Sequence, residues 1–302
     1  VVMDEFQPIS LGNIRLLSYQ QMIEEGREAL PETQSEREQR LTNAQEEDLV
    51  SIVYTSGTTG NPKGVMLTHR NFASNAQTVA SLVETSPDAV SMSFLPLSHV
   101  LERVVHYTIQ YKGTTIAYAE NFETIGQNLQ EVKPEMFAAV PRIFEKIYNK
   151  ILAGVEASSP IKQKIFKWAL GVGMERLPYI TESRPVPRLL ALKYDLANQL
   201  VFKKIQARTG GNLKFVISGG APLMREIAEF FFATGLPIYE GYGLTETSPV
   251  ITCNYEKAVR LGTVGQPIPG VEVKIAEDGE ILARGPNIML GYYNHPEATA
   301  ET

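Results

Sequence analysis

One loop of this chain has the residue types expected of a binding site for an anion. It is rich in glycine and hydroxyl residues and contains one lysine. Residues 55–64 read Thr-Ser-Gly-Thr-Thr-Gly-Asn-Pro-Lys-Gly. Glycines permit backbone angles that other residues resist, so amide N–H groups can turn onto an anion. Hydroxyls and an ammonium group add further donors. The loop therefore predicts a polyphosphate site made by Thr55, Ser56, Gly57, Thr58, Thr59, Gly60, Lys63 and Gly64.

The spacing in this loop differs from that of a Walker phosphate loop. The Walker motif places four residues between two glycines, follows the second with Lys-Ser/Thr and opens a helix. Counted from Gly57, the second glycine position is Pro62, and Gly64 follows the lysine. Apolar, β-branched runs at 49–54 and 65–67 predict a strand on each side of the loop. A plain surface hairpin is the alternative interpretation, but a hairpin turn needs only one or two glycines.

Three further segments combine glycine, hydroxyl and ionisable residues. Ser-Gly-Gly-Ala-Pro at 218–222 follows a predicted strand, at the end where α/β proteins bind ligands. Tyr-Gly-Leu-Thr-Glu at 242–246 ends in a carboxylate, which is an oxygen ligand suited to Mg²⁺. His99 closes the segment Leu-Pro-Leu-Ser-His. An isolated histidine is more often structural, and a surface carboxylate is the alternative for Glu246.

The loop at 55–64 resembles the phosphate loop of the acyl-adenylate-forming enzymes, which include acyl-CoA synthetases, luciferases and peptide-synthetase adenylation domains. The segment 242–246 matches a second motif of that family, and the similarity runs from about residue 48 to 302. Ser-His-Val-Leu-Glu-Arg at 98–103 and Val-Pro-Arg-Ile-Phe-Glu-Lys at 140–146 are most similar to bacterial long-chain fatty-acid–CoA ligases. Arg103 stands where some members carry an aromatic gate, four residues after the histidine.

This resemblance implies a role for each segment. The adenine would lie against Gly219, Gly220, Ala221, Gly241, Tyr242 and Gly243. The α-phosphate would meet Thr245, Mg²⁺ would be held by Thr55 and Glu246, and His99 would border the substrate carboxylate. The implied catalytic set is Lys63, His99, Thr245 and Glu246, with ATP and Mg²⁺ as cofactors and coenzyme A as co-substrate.

The implied reaction has two steps: a fatty acid and ATP give acyl-AMP, and coenzyme A then displaces AMP. A fatty acyl-AMP ligase or an acyl-carrier-protein synthetase would share the first step, so the motifs do not separate these alternatives. A nucleotide-binding module without catalysis is an alternative of another class. The intact Lys63, Thr245 and Glu246 argue against it, because a decayed site should have lost one of them.

Composition limits the remaining classes of function. The 302 residues carry a net charge of −6, with no basic stripe typical of nucleic-acid binding. A single cysteine, Cys253, rules out an intramolecular disulfide and suits a reducing compartment such as the cytoplasm. We interpret Cys253 as a buried structural thiol, and no apolar run is long enough to span a membrane.

Alternating strand and helix patterns predict the elements that position these residues. Strands at 90–95, 114–118, 136–140 and 213–217, separated by helices, predict an α/β fold with mainly parallel sheets and flanking helices. A capping box at Ser18 and Gln21 predicts a helix to about residue 29, and Thr68 predicts another to about residue 83. Residues 31–48 are polar, predicting a solvated linker or a frayed helix.

We expect an α/β AMP-binding domain over 1–258 and the start of a small β subdomain over 259–302. By the resemblance, the front of the large domain and the C-terminal domain with its catalytic lysine are missing, so the segment alone is expected to be inactive. Residues 142–208 are mostly helical, and Phe144, Ile147, Ile151 and Val155 form one apolar face. Such faces could pack on the core, border a lipid tunnel or rest on a membrane as peripheral contacts.

Overall fold

The computed structural model describes residues 16–55 and 61–302, and it divides the chain into two compact units, residues 1–48 and 49–302. In the first unit, helices α1 (Tyr19–Ala29) and α2 (Gln34–Asn43) have no buried residues. The capping box at α1 is confirmed: the Gln21 amide donates to Ser18 Oγ over 3.1 Å, and the Ser18 amide donates to Gln21 Oε1 over 3.0 Å. Part of the polar segment 31–48 is helical, and its residues are exposed except for the half-buried Thr33.

The second unit contains the remaining helices and all of the strands of the described chain. Its strands are β1 (Leu49–Thr55), β2 (Lys63–Thr68), β3 (Val90–Ser93), β4 (Thr115–Tyr118), β5 (Met136–Ala139), β6 (Val216–Ser218), β7 (Ile238–Gly243), β8 (Val250–Cys253), β9 (Gln266–Pro267), β10 (Glu272–Ile275), β11 (Ile281–Arg284) and β12 (Gly291–Tyr292). Its helices are α3 (His69–Leu82), α4 (Val100–Lys112), α5 (Ile125–Val132), α6 (Pro141–Glu156), α7 (Pro160–Thr181), α8 (Arg188–Ala197), α9 (Lys203–Gln206), α10 (Arg225–Ala233) and α11 (Pro296–Ala300).

A seven-stranded sheet organises this unit, in the order β4-β3-β5-β6-β7-β8-β9. The first five strands pair in parallel, and β8 and β9 are added antiparallel. Strand β5 is buried at every position, as expected of a parallel strand covered by helices on both faces. The predicted α/β fold with a mainly parallel sheet is confirmed; β6 begins three residues later than predicted, a usual error in strand boundaries.

A smaller sheet carries the glycine-rich loop. Strands β1 and β2 form an antiparallel hairpin that pairs Thr55 with Lys63, and β12 adds to β2. Both predicted strands around the loop are therefore confirmed. Helix α3 follows β2 directly, and Thr68 caps it as predicted, because its hydroxyl accepts from the Asn71 amide over 3.2 Å.

The main hydrophobic core lies between the large sheet and helices α6, α7, α8 and α10. Phe144 and Ile151 of α6 are buried in it, and Ile147 and Val155 pack against it, which confirms the predicted apolar face. From residue 259 the chain forms short strands that join different sheets: β9 the large sheet, β10 and β11 a hairpin of their own, and β12 the small sheet. The division into domains at residue 259 stays a prediction.

Candidate active site

A cavity of about 680 Å³ opens where the small sheet meets the carboxyl ends of the large-sheet strands. Helices α3 and α4 and strands β5 to β8 form its walls. One end is polar and is made by loops and strand ends; the other is apolar and is made by helix faces. The polar end is lined by Thr55, Lys63, His99, Gly219, Gly220, Gly241, Tyr242, Gly243, Thr245, Glu246 and Tyr292. Eleven residues from five separated segments are thus brought to one place.

Lys63, Tyr292 and Glu246 form a connected group at this polar end. The Lys63 ammonium lies 4.9 Å from the centroid of the Tyr292 ring, a cation–π contact between neighbouring strands. The Tyr292 hydroxyl donates to Glu246 Oε1 over 2.7 Å. Burial, reinforced by this bond to Glu246, raises the pKa of the Tyr292 phenol. Tyr292 thus holds both a cation and an anion of the site in position.

Sequence analysis did not identify Tyr292 as a site residue. Its neighbourhood, Gly-Tyr-Tyr-Asn at 291–294, has the composition of a turn. A short strand 46 residues beyond Glu246 gives no local signal that it will pair with β2. Similarity of the segment to family members was the only available indication.

Glu246 has the properties of an oxygen ligand for a divalent cation. Its side chain is half-buried and lines the cavity near Thr55 and Lys63. Tyr292 occupies one carboxylate oxygen, and a carboxylate has a second oxygen with free lone pairs. Mg²⁺ is usually held by one or two carboxylates together with substrate phosphates. One carboxylate beside a hydroxyl therefore fits Mg²⁺ bound with a nucleotide.

The segment 242–246 is fixed by close packing beyond it. A Cβ atom at Gly243 would overlap the Pro249 carbonyl, so only glycine fits where β7 ends. The Thr247 hydroxyl accepts from the Leu244 amide over 2.9 Å, and Asn287 Nδ2 donates to the Thr247 carbonyl over 2.9 Å. These contacts hold the short 3₁₀ turn Thr245–Thr247 that presents the side chains of Thr245 and Glu246.

Gly219 and Gly220 follow β6, and Gly219 approaches helix α4 closely. A Cβ atom at Gly219 would lie 3.2 Å from Leu101 Cδ2, and Gly220 has a φ of +82° that other residues rarely adopt. Both line the cavity, as does Gly241 in β7. Ala221 is exposed and lies outside the lining. Its predicted contact with the adenine stays a prediction.

His99 begins helix α4 and turns one ring nitrogen inward. Its Nδ1 accepts from the Leu101 amide over 3.2 Å, so the neutral ring carries its proton on Nε2. The residue is exposed and lines the cavity. The Nε2–H of His99 is therefore available as a hydrogen-bond donor, and the bond to Leu101 at the start of α4 fixes the position of the ring.

Two predicted residues have packing contacts that the sequence did not indicate. Gly64 is buried inside the β1–β2 hairpin, where a Cβ atom would lie 2.7 Å from Ile52 Cγ2. Arg103, at the position of the aromatic gate, donates to Ser51 Oγ over 2.6 Å and to the Tyr107 hydroxyl over 3.1 Å. Its guanidinium also lies 5.3 Å from the Phe72 ring centroid. Ser56, Gly57, Thr58, Thr59 and Gly60 lie outside the described residues.

The other end of the cavity, which we call the apolar arm, runs between helices α3 and α4 and the large sheet. It is lined by Val79, Leu82, Val83, Val100, Leu101, Val104, Val105, Thr108, Met136, Ile217, Tyr239, Pro249, Val250 and Cys253. Burial among them raises the pKa of the Cys253 thiol to about 12, so this thiol stays protonated at neutral pH. Cys253 is half-buried rather than buried and lines the cavity, so its interpretation as a structural thiol stays a prediction.

A second cavity, of about 670 Å³, lies next to the apolar arm. Leu82, Val83 and Tyr239 line both cavities, so they form the wall between them. The Tyr239 ring is held by Phe215 and Phe232, at centroid distances of 5.8 and 5.9 Å. The wall is therefore supported by a packed aromatic cluster around Tyr239.

A buried carboxylate lies on helix α4, whose residues Leu101 and Val105 line the apolar arm. The Glu102 side chain is 1% exposed, and neither oxygen has a hydrogen-bond partner of good geometry. Burial raises its pKa to about 7, with the Ser93 hydroxyl acting in the opposite direction. His106 Nδ1 lies 3.6 Å from Glu102 Oε1, and His106 Nε2 lies 3.1 Å from the Tyr118 hydroxyl. Sequence analysis did not predict this pair.

Comparison with known proteins identifies a family for this arrangement. A family model described as AMP-binding enzyme matches residues 5–293. The chain is 37% identical over 264 residues to a putative fatty-acid–CoA ligase, fadD11, of Mycobacterium tuberculosis, covering 85% of this chain and 46% of that protein. It is 33% identical to the peroxisomal long chain acyl-CoA synthetase 6 of Arabidopsis thaliana, covering 97% and 41%. The chain thus spans less than half the length of these relatives.

Solved structures give the same fold. ATP-bound MatB from Rhodopseudomonas palustris superposes with a TM-score of 0.60 at 26% identity, covering 86% of this chain and 44% of that one. The N-terminal domain of FACL13 from Mycobacterium tuberculosis superposes with a TM-score of 0.59 at 20% identity, covering 86% and 55%. The second likeness concerns the fold alone.

Proposed function

The chain belongs to the AMP-binding enzyme family, and on that premise we propose that it is the nucleotide- and acyl-binding part of a long-chain fatty-acid–CoA ligase. One observation carries the proposal. A single cavity joins a polar end suited to a nucleotide with an apolar arm suited to an aliphatic chain. An enzyme that joins ATP to a fatty acid requires both environments at one reacting centre.

In the first step, a carboxylate oxygen of the fatty acid attacks the α-phosphorus of ATP. A new P–O bond forms, the bond to the β-phosphate oxygen breaks, and acyl-AMP and pyrophosphate result. The protein's contribution to such a transfer is positioning and charge neutralisation. Lys63 and Thr55 would hold the β- and γ-phosphates, together with the predicted loop residues up to Gly64.

Other residues of the polar end would orient the reacting groups. Thr245 would donate to an α-phosphate oxygen, and the Nε2–H of His99 would donate to the substrate carboxylate or the α-phosphate. Gly219, Gly220, Gly241 and Gly243 leave room for the nucleotide, while Tyr242 would pack on the adenine. Mg²⁺ brought with ATP would be held by Glu246 and Thr55, where it neutralises phosphate charge.

In the second step, the thiol of coenzyme A attacks the acyl carbonyl. A C–S bond forms, the C–O bond to AMP breaks, and the thiol proton leaves to solvent. Relatives named as fatty-acid–CoA ligases support coenzyme A as the acceptor. The cytoplasmic location that composition suggests stays a prediction.

The apolar arm supports a long aliphatic substrate. Its lining is mostly aliphatic, and among the described residues of the arm no carboxylate could pair with a substrate amino group. Each methylene buried in the arm should add about 0.8 kcal/mol to binding. Apparent affinity should therefore rise with chain length until the tail reaches the wall of Leu82, Val83 and Tyr239.

ATP–pyrophosphate exchange tests the proposal. A full-length form of the protein is assayed with saturated carboxylic acids from acetate to palmitate, with aromatic acids and amino acids for comparison. We expect exchange that grows with aliphatic chain length. Exchange best supported by acetate or an aromatic acid would remove the long-chain substrate, and no exchange with any acid would favour a non-catalytic nucleotide-binding module. Coenzyme A and acyl carrier protein are then compared as acceptors of the preformed acyl-AMP.

A further inference from the structure

Three buried asparagines tie helix α3 to the segments around Glu246. Asn71, Asn75 and Asn287, here called the asparagine clamp, are 5%, 1% and 1% exposed. Asn71 and Asn75 lie on α3, which directly follows strand β2 of the β1–β2 hairpin, and Asn287 lies between β11 and β12. Burying an amide is costly unless its hydrogen bonds are made, so the partners of these side chains show what the clamp holds.

Asn71 joins the start of α3 to the segment before β12. Its Nδ2 donates to the carbonyl oxygens of Pro286 and Ile288, in both cases over 2.8 Å. Its Oδ1 accepts from the Thr68 amide over 2.9 Å, which completes the capping box of α3. One end of the side-chain amide therefore caps the helix, and the other end holds a segment that lies 215 residues later in the chain.

The other two asparagines hold the chain directly after Glu246. Asn287 Nδ2 donates to the Thr247 carbonyl over 2.9 Å and to the Val250 carbonyl over 3.2 Å. Asn75 Nδ2 donates to the same Val250 carbonyl over 2.9 Å, and Asn75 Oδ1 accepts from the Val250 amide over 3.4 Å. Asn287 Oδ1 has no partner among the described residues, so Asn287 acts as a donor only. The turn that presents Glu246 is therefore held from two sides at once.

Backbone hydrogen bonds link this turn to the hairpin. The Met289 amide donates to the Glu246 carbonyl over 2.9 Å, and the Leu290 amide donates to the Met66 carbonyl of β2 over 3.0 Å. The segment before β12 thus contacts the turn, strand β2 and helix α3. The position of Glu246 relative to Lys63, at the start of β2, therefore depends on how firmly this segment is held.

We propose that Asn71, Asn75 and Asn287 are positioning residues that set the Glu246 carboxylate against the hairpin that binds phosphate. The inference rests on the proposed function, in which Glu246 and the ATP phosphates share one Mg²⁺. This cation demands near-ideal octahedral geometry with ligands at about 2 Å, so a turn displaced by about 1 Å would hold it poorly. None of the three asparagines lines the cavity, so they act through Glu246 and do not touch the substrates.

Amide hydrogen exchange of the 302-residue chain, without nucleotide or metal, tests the clamp itself. Asn71→Asp keeps an acceptor for the Thr68 amide but loses both donated hydrogen bonds and repels the two carbonyl partners. The amides of Met289 and Leu290 should then exchange about tenfold faster, because the segment opens locally. Asn287→Ser, whose shorter side chain lacks the two Nδ2 donors, should have the same effect.

Pyrophosphate exchange by a full-length form of the protein measures the consequence for the cation. Both variants should raise the Mg²⁺ concentration needed for half-maximal exchange about three- to tenfold. Saturating Mg²⁺ should restore the rate to near the wild-type value, and the KM for the fatty acid should not change. A purely structural role would lower exchange at every Mg²⁺ concentration without this shift.

Asn128→Asp is the matched control. Asn128 is 6% exposed and lies outside the cavity lining. Its Oδ1 accepts from the Glu120 amide over 3.2 Å, and its Nδ2 donates to a Glu131 oxygen over 3.4 Å. The same substitution therefore keeps an acceptor and loses a donor at a buried position elsewhere. It should leave amide exchange at Met289 and the Mg²⁺ requirement as in the wild type.

The outcomes separate this inference from the proposed function. Wild-type amide exchange at Met289 and Leu290 in both clamp variants would overturn the inference. Faster amide exchange with an unshifted Mg²⁺ requirement, or an equal shift in Asn128→Asp, would also overturn it. These results leave the proposed function standing, because they concern the variants alone. A wild type without Mg²⁺-dependent pyrophosphate exchange would instead overturn the proposed function, and this inference with it.

Discussion

The two ends of the cavity are built in opposite ways. The polar end is made by strand ends, glycines and short turns, and in the proposed function single residues such as Lys63 and Glu246 would have particular tasks. The apolar arm is made by faces of α3 and α4 and by four strands, in which many residues share one task. A single substitution at the polar end should therefore cause a large change in ATP binding or Mg²⁺ dependence. A single substitution along the arm should cause only a small change in the preferred length of the fatty acid.

The largest effect is expected behind the arm, at Glu102. Its pKa rises from 4.5 to about 7 on folding, so below pH 4.5 both folded and unfolded states are protonated and stability is complete. Between these values the unfolded chain ionises first, and stability is lost as pH rises. Above pH 7 the cost is constant at about 3 kcal/mol. Glu102→Gln should therefore stabilise the fold by up to this amount at pH 8 and little at pH 4.5.

Denaturant unfolding at both pH values measures this difference. Glu135→Gln is a control of opposite sign, because Lys214 and Ser86 outweigh the effect of burial and lower the pKa of Glu135. A lowered pKa gives stability that is present above the unfolded value and lost as pH falls. Equal stability of wild type and Glu102→Gln at pH 8 would mean that His106, 3.6 Å away, compensates the buried carboxylate.

At the polar end, Lys63→Ala should weaken ATP binding by about 1.5–3 kcal/mol, the value of a hydrogen bond to a charged group. Titration calorimetry with ATP measures it directly, and pyrophosphate exchange follows the consequence for catalysis. Lys257→Ala is the matched control, since Lys257 is an exposed lysine paired with Glu84 and outside the cavity lining. Wild-type ATP affinity and wild-type exchange in Lys63→Ala together would refute the phosphate-loop assignment.

Glu246→Gln should raise the Mg²⁺ concentration needed for half-maximal exchange on the order of tenfold, because an anionic ligand is lost. Tyr292→Phe separates ligation from positioning. It removes the 2.7 Å hydrogen bond to Glu246 but keeps the ring beneath Lys63, so its effect on Mg²⁺ dependence should be smaller. A Glu246→Gln protein with unchanged Mg²⁺ dependence would place the cation elsewhere.

The smallest effect per step is expected at the wall of the arm. Tyr239→Ala should open the arm to the neighbouring cavity and shift the preferred acid to longer chains, by about 0.8 kcal/mol for each additional buried methylene. Tyr239→Phe keeps the ring between Phe215 and Phe232 and should leave the preference unchanged. An unaltered chain-length profile in Tyr239→Ala, with normal thermal unfolding, would show that the acyl tail ends before this wall.

Most residues of the polar end were singled out from the sequence because phosphate binding demands unusual residue types, and their individual roles stay predictions. Glycines, hydroxyls and a lysine within ten positions are rare except where an anion is held, and the hairpin that carries them was predicted from β-branched runs on each side. Thr68 and Ser18 likewise predicted the starts of the helices that they cap. Local signals of this kind depend only on neighbours in the chain.

Tertiary structure decided which residues line the apolar arm and its wall, and it decided that Tyr292 belongs to the polar end. Val83, Val105 and Tyr239 have the composition of any hydrophobic core, so periodicity alone does not distinguish a cavity lining from a packed interior. Tyr292 reaches Glu246 only because β12 pairs with β2, more than 200 residues earlier in the chain. Sequence determined which residue types are available for a phosphate site and which faces are apolar. Packing of separated elements determined which apolar faces enclose space, because that outcome depends on partners distant in the chain.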